Sequence, residues 1–189
     1  HIKIWNPESE EIYVNKRNAI HYENISIALA DSIANSGQGF IYEMAFGNGG
    51  TAVDPTGIIT YLTPNSTGTN ASLYNQTYTK VVDDRSVANL DPTRNYIETR
   101  HVTGVNYTDV FITCLLDYGE PNGQSAFDNS NDNENSFVFD ELGLKSYSST
   151  GNSRLLTHVI FHPVQKSLNR LIQIDYTVRI QSLTGLSGV

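Results

Sequence analysis

The chain has very little cysteine: one residue, Cys114, among 189. A single cysteine excludes an internal disulfide, and its apolar neighbours in the run Val110-Phe-Ile-Thr-Cys-Leu-Leu116 predict a buried, unreactive thiol. A chain of this length can bury enough apolar surface to fold without a disulfide or a structural metal. We therefore expect it to fold in a reducing compartment such as the cytosol.

Clustered basic residues and long apolar runs are also missing. Lys and Arg total 12 against 20 Asp and Glu, which gives a net charge of −8, and apart from the pair Lys16 and Arg17 the basic residues are scattered singly. A protein that binds the DNA backbone needs a clustered basic face. No apolar run approaches the roughly 20 residues that cross a bilayer, and the start, from His1 to Pro7, is not typical of a signal peptide. We predict a soluble protein that binds neither nucleic acid nor a membrane.

The strongest pattern that is present lies in residues 170–181. Apolar side chains alternate there with polar ones; the apolar set is Ile172, Ile174, Tyr176, Val178 and Ile180. The polar set is Gln173, Asp175, Thr177, Arg179 and Gln181. Successive side chains of a strand point to opposite faces, so this period of two predicts an antiparallel strand with one buried face and one wet face. The wet face is a possible contact with another subunit.

The remaining chain predicts a mainly β, antiparallel β-sandwich, jelly-roll-like, with one N-terminal helix and long polar loops. We expect one β-rich domain over residues 1–189, in which residues 1–18 form an extended N-terminal arm that reaches a neighbour. The helix is predicted from about Ile20 to Asn35, with Gly37 as its stop. Its predicted buried stripe consists of Ile25, Ala28, Leu29, Ser32 and Ile33. Further strands are predicted at residues 39–46, 58–62, 78–82, 96–102, 105–116, 137–144 and 154–162, the last ending before Pro163.

Several segments suggest a site, and in each the structural interpretation is favoured. The segment Gly47-Asn-Gly-Gly-Thr51 follows a strand, as phosphate loops do, but no Lys-Ser or Lys-Thr pair follows it, so a tight turn with positive φ is expected. The polar run at 128–135 has carboxylates for calcium but lacks the turn glycine and distal glutamate of the common loop. A solvated loop is expected there.

The histidines and carboxylates give no catalytic constellation. His158 and His162 lie in a strand-like segment, where four residues span about 13 Å, too far for one metal ion. His21 and His101 have no nearby partner in the sequence. Four acids could form a glycosidase pair, but nothing in the sequence brings two of them together: Asp83, Asp84, Asp140 and Glu141. We predict no catalytic, cofactor-binding or metal-binding residue, and a protein that is not an enzyme.

Two segments resemble structural proteins of tailed-bacteriophage virions. The first is a helix, 18–33, followed by a strand that ends in Ala45-Phe-Gly-Asn-Gly-Gly-Thr51. The second is Phe137-Val-Phe-Asp-Glu-Leu-Gly-Leu144 with Leu155-Leu-Thr-His-Val-Ile-Phe-His-Pro163, which is similar to a "Glu-Leu-Gly-Leu" hairpin of tail, baseplate and fibre-attachment proteins. Together they cover about a third of the chain, in the same order as in those proteins.

This resemblance implies a non-enzymatic structural subunit of the neck, tail or baseplate, made in the host cytoplasm and located in the virion. Its partners would be copies of itself, in a symmetric oligomer, and other virion proteins, with no small-molecule substrate or cofactor. The alternative is a carbohydrate-binding β-sandwich that attaches to a cell surface through loop tyrosines such as Tyr61 and Tyr74. An enzyme, most plausibly a glycan hydrolase, ranks third.

Overall fold

The computed structural model describes residues 1–121 and 136–181, and in them one helix and twelve strands. The helix is α1 (Tyr22–Ile33). The strands are β1 (Ile2–Trp5), β2 (Ile12–Lys16), β3 (Ala19–Ile20), β4 (Ile41–Gly47), β5 (Thr51–Val53), β6 (Ile59–Tyr61), β7 (Gln76–Val81), β8 (Tyr96–His101), β9 (Tyr107–Leu116), β10 (Ser136–Ser146), β11 (Thr157–Ser167) and β12 (Ile172–Gln181).

The strands form two five-stranded antiparallel sheets that pack face to face. The first sheet has the order β2-β1-β12-β9-β8, and the second has the order β3-β11-β10-β4-β7. A separate hairpin joins β5 to β6. The predicted antiparallel β-sandwich with one helix is therefore confirmed.

The main core lies between the two sheets. The first sheet contributes aliphatic side chains such as Ile2, Ile112 and Ile174, and the second contributes a group of rings. Phe46, Phe137, Phe139 and Phe161 contact one another in stacked or edge-to-face pairs, with ring centroids 5.4 to 5.7 Å apart. These separations are typical of favourable aromatic pairs.

The strand β12 follows its predicted alternation almost to its end. Ile172, Ile174 and Tyr176 are fully buried and Val178 nearly so, so the predicted buried face is correct. The exception is Ile180, which is 43 % exposed because it lies beyond the covered part of the sheet. Pairing with both β1 and β9 makes β12 the central strand of the first sheet.

The prediction of an N-terminal arm is wrong. Residues 1–18 are extended, but β1 lies inside the first sheet, between β2 and β12, and Ile2 and Ile4 are fully buried. The amino group of His1 also donates to the carbonyl oxygen of Thr177 at 2.8 Å. Alternating isoleucines fit an arm and a sheet strand equally well, and the partner strand lies some 170 residues away. The strand β1 therefore belongs to the core of this chain.

The predicted helix is confirmed, but only part of its predicted stripe faces the core: Ala28 is buried and Ile25 packs against the core. Asn24 and Ala28 are its buried residues, whereas Ile33, assigned to the apolar stripe, is 85 % exposed. The Asn24 side chain donates to the carbonyl oxygen of Leu155 at 2.8 Å. A polar contact therefore sets the rotation of the helix.

The strand β11 continues through Pro163, whereas the predicted strand ends at His162. The pairing of β10 with β11 shifts register between Phe139 and Glu141, and Pro163 lies opposite that irregularity. Proline is tolerated in a strand at such a bulge, where a ladder hydrogen bond is missing in any case. The polar loop predicted at 128–135 lies outside the described residues.

Residues 48–75, here called the covering segment, lie over the face of the second sheet that points away from the main core. Ala45 of β4, Leu73 of the segment and Leu155 form a small second apolar cluster there. The hairpin of β5 and β6 belongs to this segment. In the part of the chain that the structure describes, no helix has the length and apolarity needed to span a membrane.

Candidate functional site

Two adjacent acids, Asp140 and Glu141, lie at the bulge of β10, beneath the covering segment. Asp140 is nearly fully buried and accepts the backbone N–H groups of Gly50 and Thr51, each at 2.9 Å. The Thr51 hydroxyl also donates to it. Each carboxylate oxygen therefore has a donor, as a buried carboxylate requires.

Glu141 has an even fuller set of donors. Its Oε1 accepts the backbone N–H groups of Gly49 at 3.1 Å and Asn75 at 2.8 Å. Its Oε2 accepts the N–H of Tyr74 at 2.9 Å and contacts Nε2 of His158 at 3.0 Å. One carboxylate thus holds two separate stretches of the covering segment against the sheet.

The position of the proton on His158 follows from its two contacts. Nδ1 lies 2.8 Å from the backbone nitrogen of Asn65 and accepts its N–H, so it carries no proton. The proton is therefore on Nε2, which donates to Glu141. Both side chains are fully buried, so an imidazole N–H faces a carboxylate oxygen away from water.

Burial raises the pKa of Glu141, but hydrogen bonds from His158 and from the N–H groups of Asn75, Tyr74 and Gly49 outweigh it. The pKa lies below its ordinary value as a result. The carboxylate is therefore charged at neutral pH, stabilised by donors rather than by a cation.

The glycines of 47–50 are required for close approach, not for positive φ as predicted. Their φ angles lie outside the left-handed region. A Cβ on Gly47 would lie 2.5 Å from the carbonyl oxygen of Asn75 and 2.5 Å from Oε1 of Glu141. A Cβ on Gly49 would lie 2.8 Å from the backbone nitrogen of Asn75. Side chains here would push the carboxylate away from its donors.

The side chains of Asp140, Glu141 and His158 attach the backbone of the covering segment to the second sheet. Every oxygen of Asp140 and Glu141 and both ring nitrogens of His158 contact a protein group, and all three side chains are buried. A reacting atom would have to displace one of these contacts. The cluster of Asp140, Glu141 and His158, here called the buried clamp, is therefore built to hold the covering segment.

Other residues considered from the sequence lie apart from the clamp. His162 is exposed, with Nδ1 3.4 Å from the hydroxyl of Tyr61, so the structure does not bring the two histidines of β11 together. His21 is the N-cap of α1, where Nδ1 accepts the N–H of Asn24 at 3.2 Å. Asp83 accepts the N–H of Arg85 in a turn. Within residues 1–121 and 136–181, no three potential ligands cluster for a metal ion.

Cys114 is fully buried in β9, as predicted. Burial raises the pKa of its thiol to about 12; Lys80 opposes this effect and Glu120 adds to it, both more weakly. A thiol with so high a pKa is a poor nucleophile at neutral pH. Its role is core packing.

Sequence reasoning missed Lys166, which is fully buried at the end of β11. Its Nζ donates to three backbone carbonyl oxygens, those of Asp117 at 2.9 Å, Glu120 at 2.8 Å and Ser167 at 2.8 Å. Burial lowers its pKa to about 8, although Glu120 and Asp117 oppose this. The burial of Lys166 could have been predicted from the alternation of side chains in the strand, which places Lys166 on the same face as Val164.

A groove of about 580 Å³ opens between β7 and the segment that leads into β8. Its cations are paired with acids: Lys80 with Glu120, and Arg94 with both Asp91 and Asp117. These pairs connect the loops around the groove to one another.

The outer face of the first sheet carries polar and aromatic side chains in ordered contacts. Arg179 makes two hydrogen bonds with Asp109, at 2.7 and 2.8 Å, and this holds the pKa of that carboxyl below its usual value. The same guanidinium lies 3.7 Å from the ring centroid of Tyr107. Asp175 accepts from the indole N–H of Trp5 at 2.8 Å. This face is therefore structured but remains accessible.

Comparison of the chain with protein-family models, with curated proteins and with solved structures gave no match.

Proposed function

We propose that the chain is a non-enzymatic structural subunit of a tailed-bacteriophage particle, in the neck, tail or baseplate, where it assembles with copies of itself. The proposal is based on where the two segments of the resemblance lie in the fold. The segments that resemble virion proteins are far apart in the sequence but form one continuous unit in the fold.

The unit is built around β10 and β11. Residues 45–47 of the first segment pair with residues 141–143 of the second, and β10 in turn pairs with β11. The buried clamp joins the same parts, because Asp140 and Glu141 hold the backbone of 49–51. The resemblance therefore falls on one packed substructure.

The helical part of the resemblance joins the same unit. Ala19 and Ile20 pair with β11, and the backbone N–H of His21 donates to the carbonyl oxygen of Leu156 at 3.0 Å. The Asn24 side chain binds the neighbouring carbonyl of Leu155. The segments that carry the resemblance therefore lie together in the second sheet, as a common structural unit requires.

The chemistry of the molecule supports a role through contacts rather than through a reaction. The polar atoms of the buried clamp are occupied by the fold, whereas the outer face of the first sheet presents charged and aromatic side chains. Mixed polar and aromatic surfaces are suited to contact between subunits. Repeated copies of one such surface produce a symmetric assembly.

Particles made from the genome that encodes this chain test the proposal. We expect mass spectrometry of gradient-purified particles to detect the chain at a constant stoichiometry. Particles made without the gene should lack a defined part or fail to assemble. If complete, infectious particles lack the chain, the proposal is wrong.

Carbohydrate binding is the second candidate, because two tyrosine rings of the covering segment are exposed. Tyr61 is 53 % exposed and Tyr74 is 44 % exposed, and exposed rings can stack on sugars. The hydroxyl of Tyr74 is already bound to the carbonyl oxygen of Thr63 at 2.7 Å. Glycan-array binding that disappears in Tyr61→Ala and Tyr74→Ala would favour this function, and absence of binding to any glycan would remove it.

A further inference from the structure

The strand β8 is an edge strand of the first sheet. It pairs with β9 on one side, and no strand of residues 1–121 or 136–181 pairs with its other side. Thr99, Arg100 and His101 have exposed side chains. An unpaired edge presents a row of backbone donors and acceptors to which another strand can add.

We propose that β8 pairs in antiparallel orientation with β8 of a second copy, about a two-fold axis at Thr99. The two first sheets would then join into one continuous sheet across the dimer. This contact is a specific form of the assembly proposed above and rests on it. A two-fold contact uses the same surface on both copies, so β8 must be complementary to itself.

Side-chain charge selects the register of this pairing. A shift of one residue would place inward-facing side chains opposite outward-facing ones, so only registers that keep the faces matched are allowed. An axis at Glu98 places two glutamates opposite each other, and an axis at Arg100 places two arginines opposite each other. An axis at Thr99 pairs Glu98 of each copy with Arg100 of the other.

The other opposed residues in this register are also compatible. Tyr96 would face Val102 of the second copy, which is 62 % exposed in the single chain. Ile97 would face His101, and Thr99 would face its own equivalent. Aromatic with β-branched, threonine with threonine, and opposite charges are cross-strand pairs that stabilise antiparallel sheets.

The charges already present on the outer face continue across the proposed contact. Arg179 lies opposite Asp109, and Asp109 lies opposite Arg100, which gives a row of alternating sign. Glu98 of the second copy would add the next negative charge to this row. In the single chain, Glu98 forms an ion pair with Arg100 of the same strand, and the Arg100 guanidinium also lies 4.3 Å from the ring centroid of Phe111. The dimer would give Glu98 a cross-strand partner of opposite charge and give Arg100 a second one beside Asp109.

The opposite edge of the same sheet is less suited to strand addition. The strand β2 has five residues, follows Glu10 and Glu11, and its pairing with β1 shifts register between Ile4 and Trp5. Irregular pairing and charge at an edge disfavour the addition of a further strand. We therefore assign the contact to β8.

A disulfide trap tests the contact in the full chain. Thr99→Cys places two thiols opposite each other at the axis, while the native Cys114 is fully buried and cannot compete. Under mild oxidation we expect a covalent dimer to form at least about ten times faster than for Thr60→Cys, because pairing holds the thiols together. Thr60 is an exposed strand residue of the β5 and β6 hairpin and serves as the matched control.

Charge reversal tests the register. Glu98→Arg should abolish the rapid cross-linking of Thr99→Cys, because two arginines would then face each other. The combined change Glu98→Arg with Arg100→Glu should restore it. Circular dichroism melting of each variant would show that the subunit itself remains folded.

Equal cross-linking rates for Thr99→Cys and Thr60→Cys would overturn the proposed contact. Cross-linking of Thr99→Cys that stays equally rapid when Glu98→Arg is added would also overturn it. Neither result bears on whether the chain is present in particles, which mass spectrometry decides separately. If the chain is found in particles but Thr99→Cys does not cross-link rapidly, the proposed structural role stands and the proposed β8 contact is wrong.

Discussion

Glu141 accepts a hydrogen bond of 3.0 Å from Nε2 of His158, and both side chains are fully buried beneath the covering segment. The contact joins β10 to β11 on the face of the second sheet that points away from the main core. Each partner also binds backbone N–H groups of residues 48–75, so the pair helps Asp140 attach this segment to the sheet. Its stability should depend on the charge of Glu141.

Replacing Glu141 by Gln should destabilise the protein by about 2–4 kcal/mol. The amide NH₂ would face N–H donors that now bind a carboxylate oxygen, and one or two of those donors would lose their acceptor. Urea unfolding followed by circular dichroism measures the change. Glu11→Gln, at an exposed position, is the control and should change stability by less than about 0.5 kcal/mol. A Glu141→Gln variant as stable as the control would contradict the account of the clamp.

The contribution of Glu141 should disappear in acid. Its pKa is lower in the folded chain than its ordinary value of 4.5, so the unfolded chain binds the proton more tightly. The stabilisation is present above that value and is lost as the pH falls through the folded pKa. The difference in unfolding free energy between the native chain and Glu141→Gln should therefore shrink steadily below about pH 4.5. A difference that grows on acidification would reverse the assigned sign.

Gly47→Ala should destabilise the protein by about 1–3 kcal/mol because its methyl group would lie against the Asn75 carbonyl and the Glu141 carboxylate. Gly50→Ala is the matched comparison. Its methyl group would meet the Ile160 side chain at 3.0 Å, and a side chain can yield more easily than backbone. Chemical denaturation should rank Gly47→Ala as the more damaging change. The opposite ranking would show that the close approach at Gly47 is not limiting.

Ile4→Ala should cost about 2–5 kcal/mol, since Ile4 is fully buried in an internal strand of the first sheet. Ile12→Ala, in the edge strand β2, removes a side chain that is 52 % exposed and should cost much less. Thermal and urea unfolding compare the two. Similar, small effects would restore the interpretation of residues 1–18 as an arm.

Cys114 should react with iodoacetamide only when the protein unfolds. The thiol is fully buried, and burial raises its pKa to about 12, so the folded chain has almost no accessible thiolate at pH 8. Labelling followed by mass spectrometry should be slow in buffer and fast in urea. Rapid labelling of the folded chain would show that β9 opens locally.

Local patterns predicted the elements better than their positions in the sheets. The alternation in β12 identified its buried face because β12 lies between β1 and β9 in the sheet, and one face of that sheet packs against the core. The same alternation at Ile2 and Ile4 could not show that β1 lies next to β12, because pairing across the whole chain leaves no local trace. Burial of Asn24 in place of Ile33 depends on a single distant carbonyl and was equally hidden.

The buried clamp could not be predicted for a related reason. In the sequence, Asp140 and Glu141 are acids without evident partners, and His158 is only one member of a histidine pair. Their partners are mostly backbone N–H groups, which every residue carries and no side-chain motif reveals. The glycines at 47–50 were the one visible sign, but they predicted a turn with positive φ, whereas the structure shows that they permit a close backbone approach.

The measurement that tests the structural role most directly is a cryo-EM reconstruction of particles made from the genome that encodes this chain. We expect density for repeated copies of the β-sandwich, related by symmetry and in contact through exposed surfaces such as the β8 edge. A complete map of infectious particles in which no density fits the chain would contradict the account.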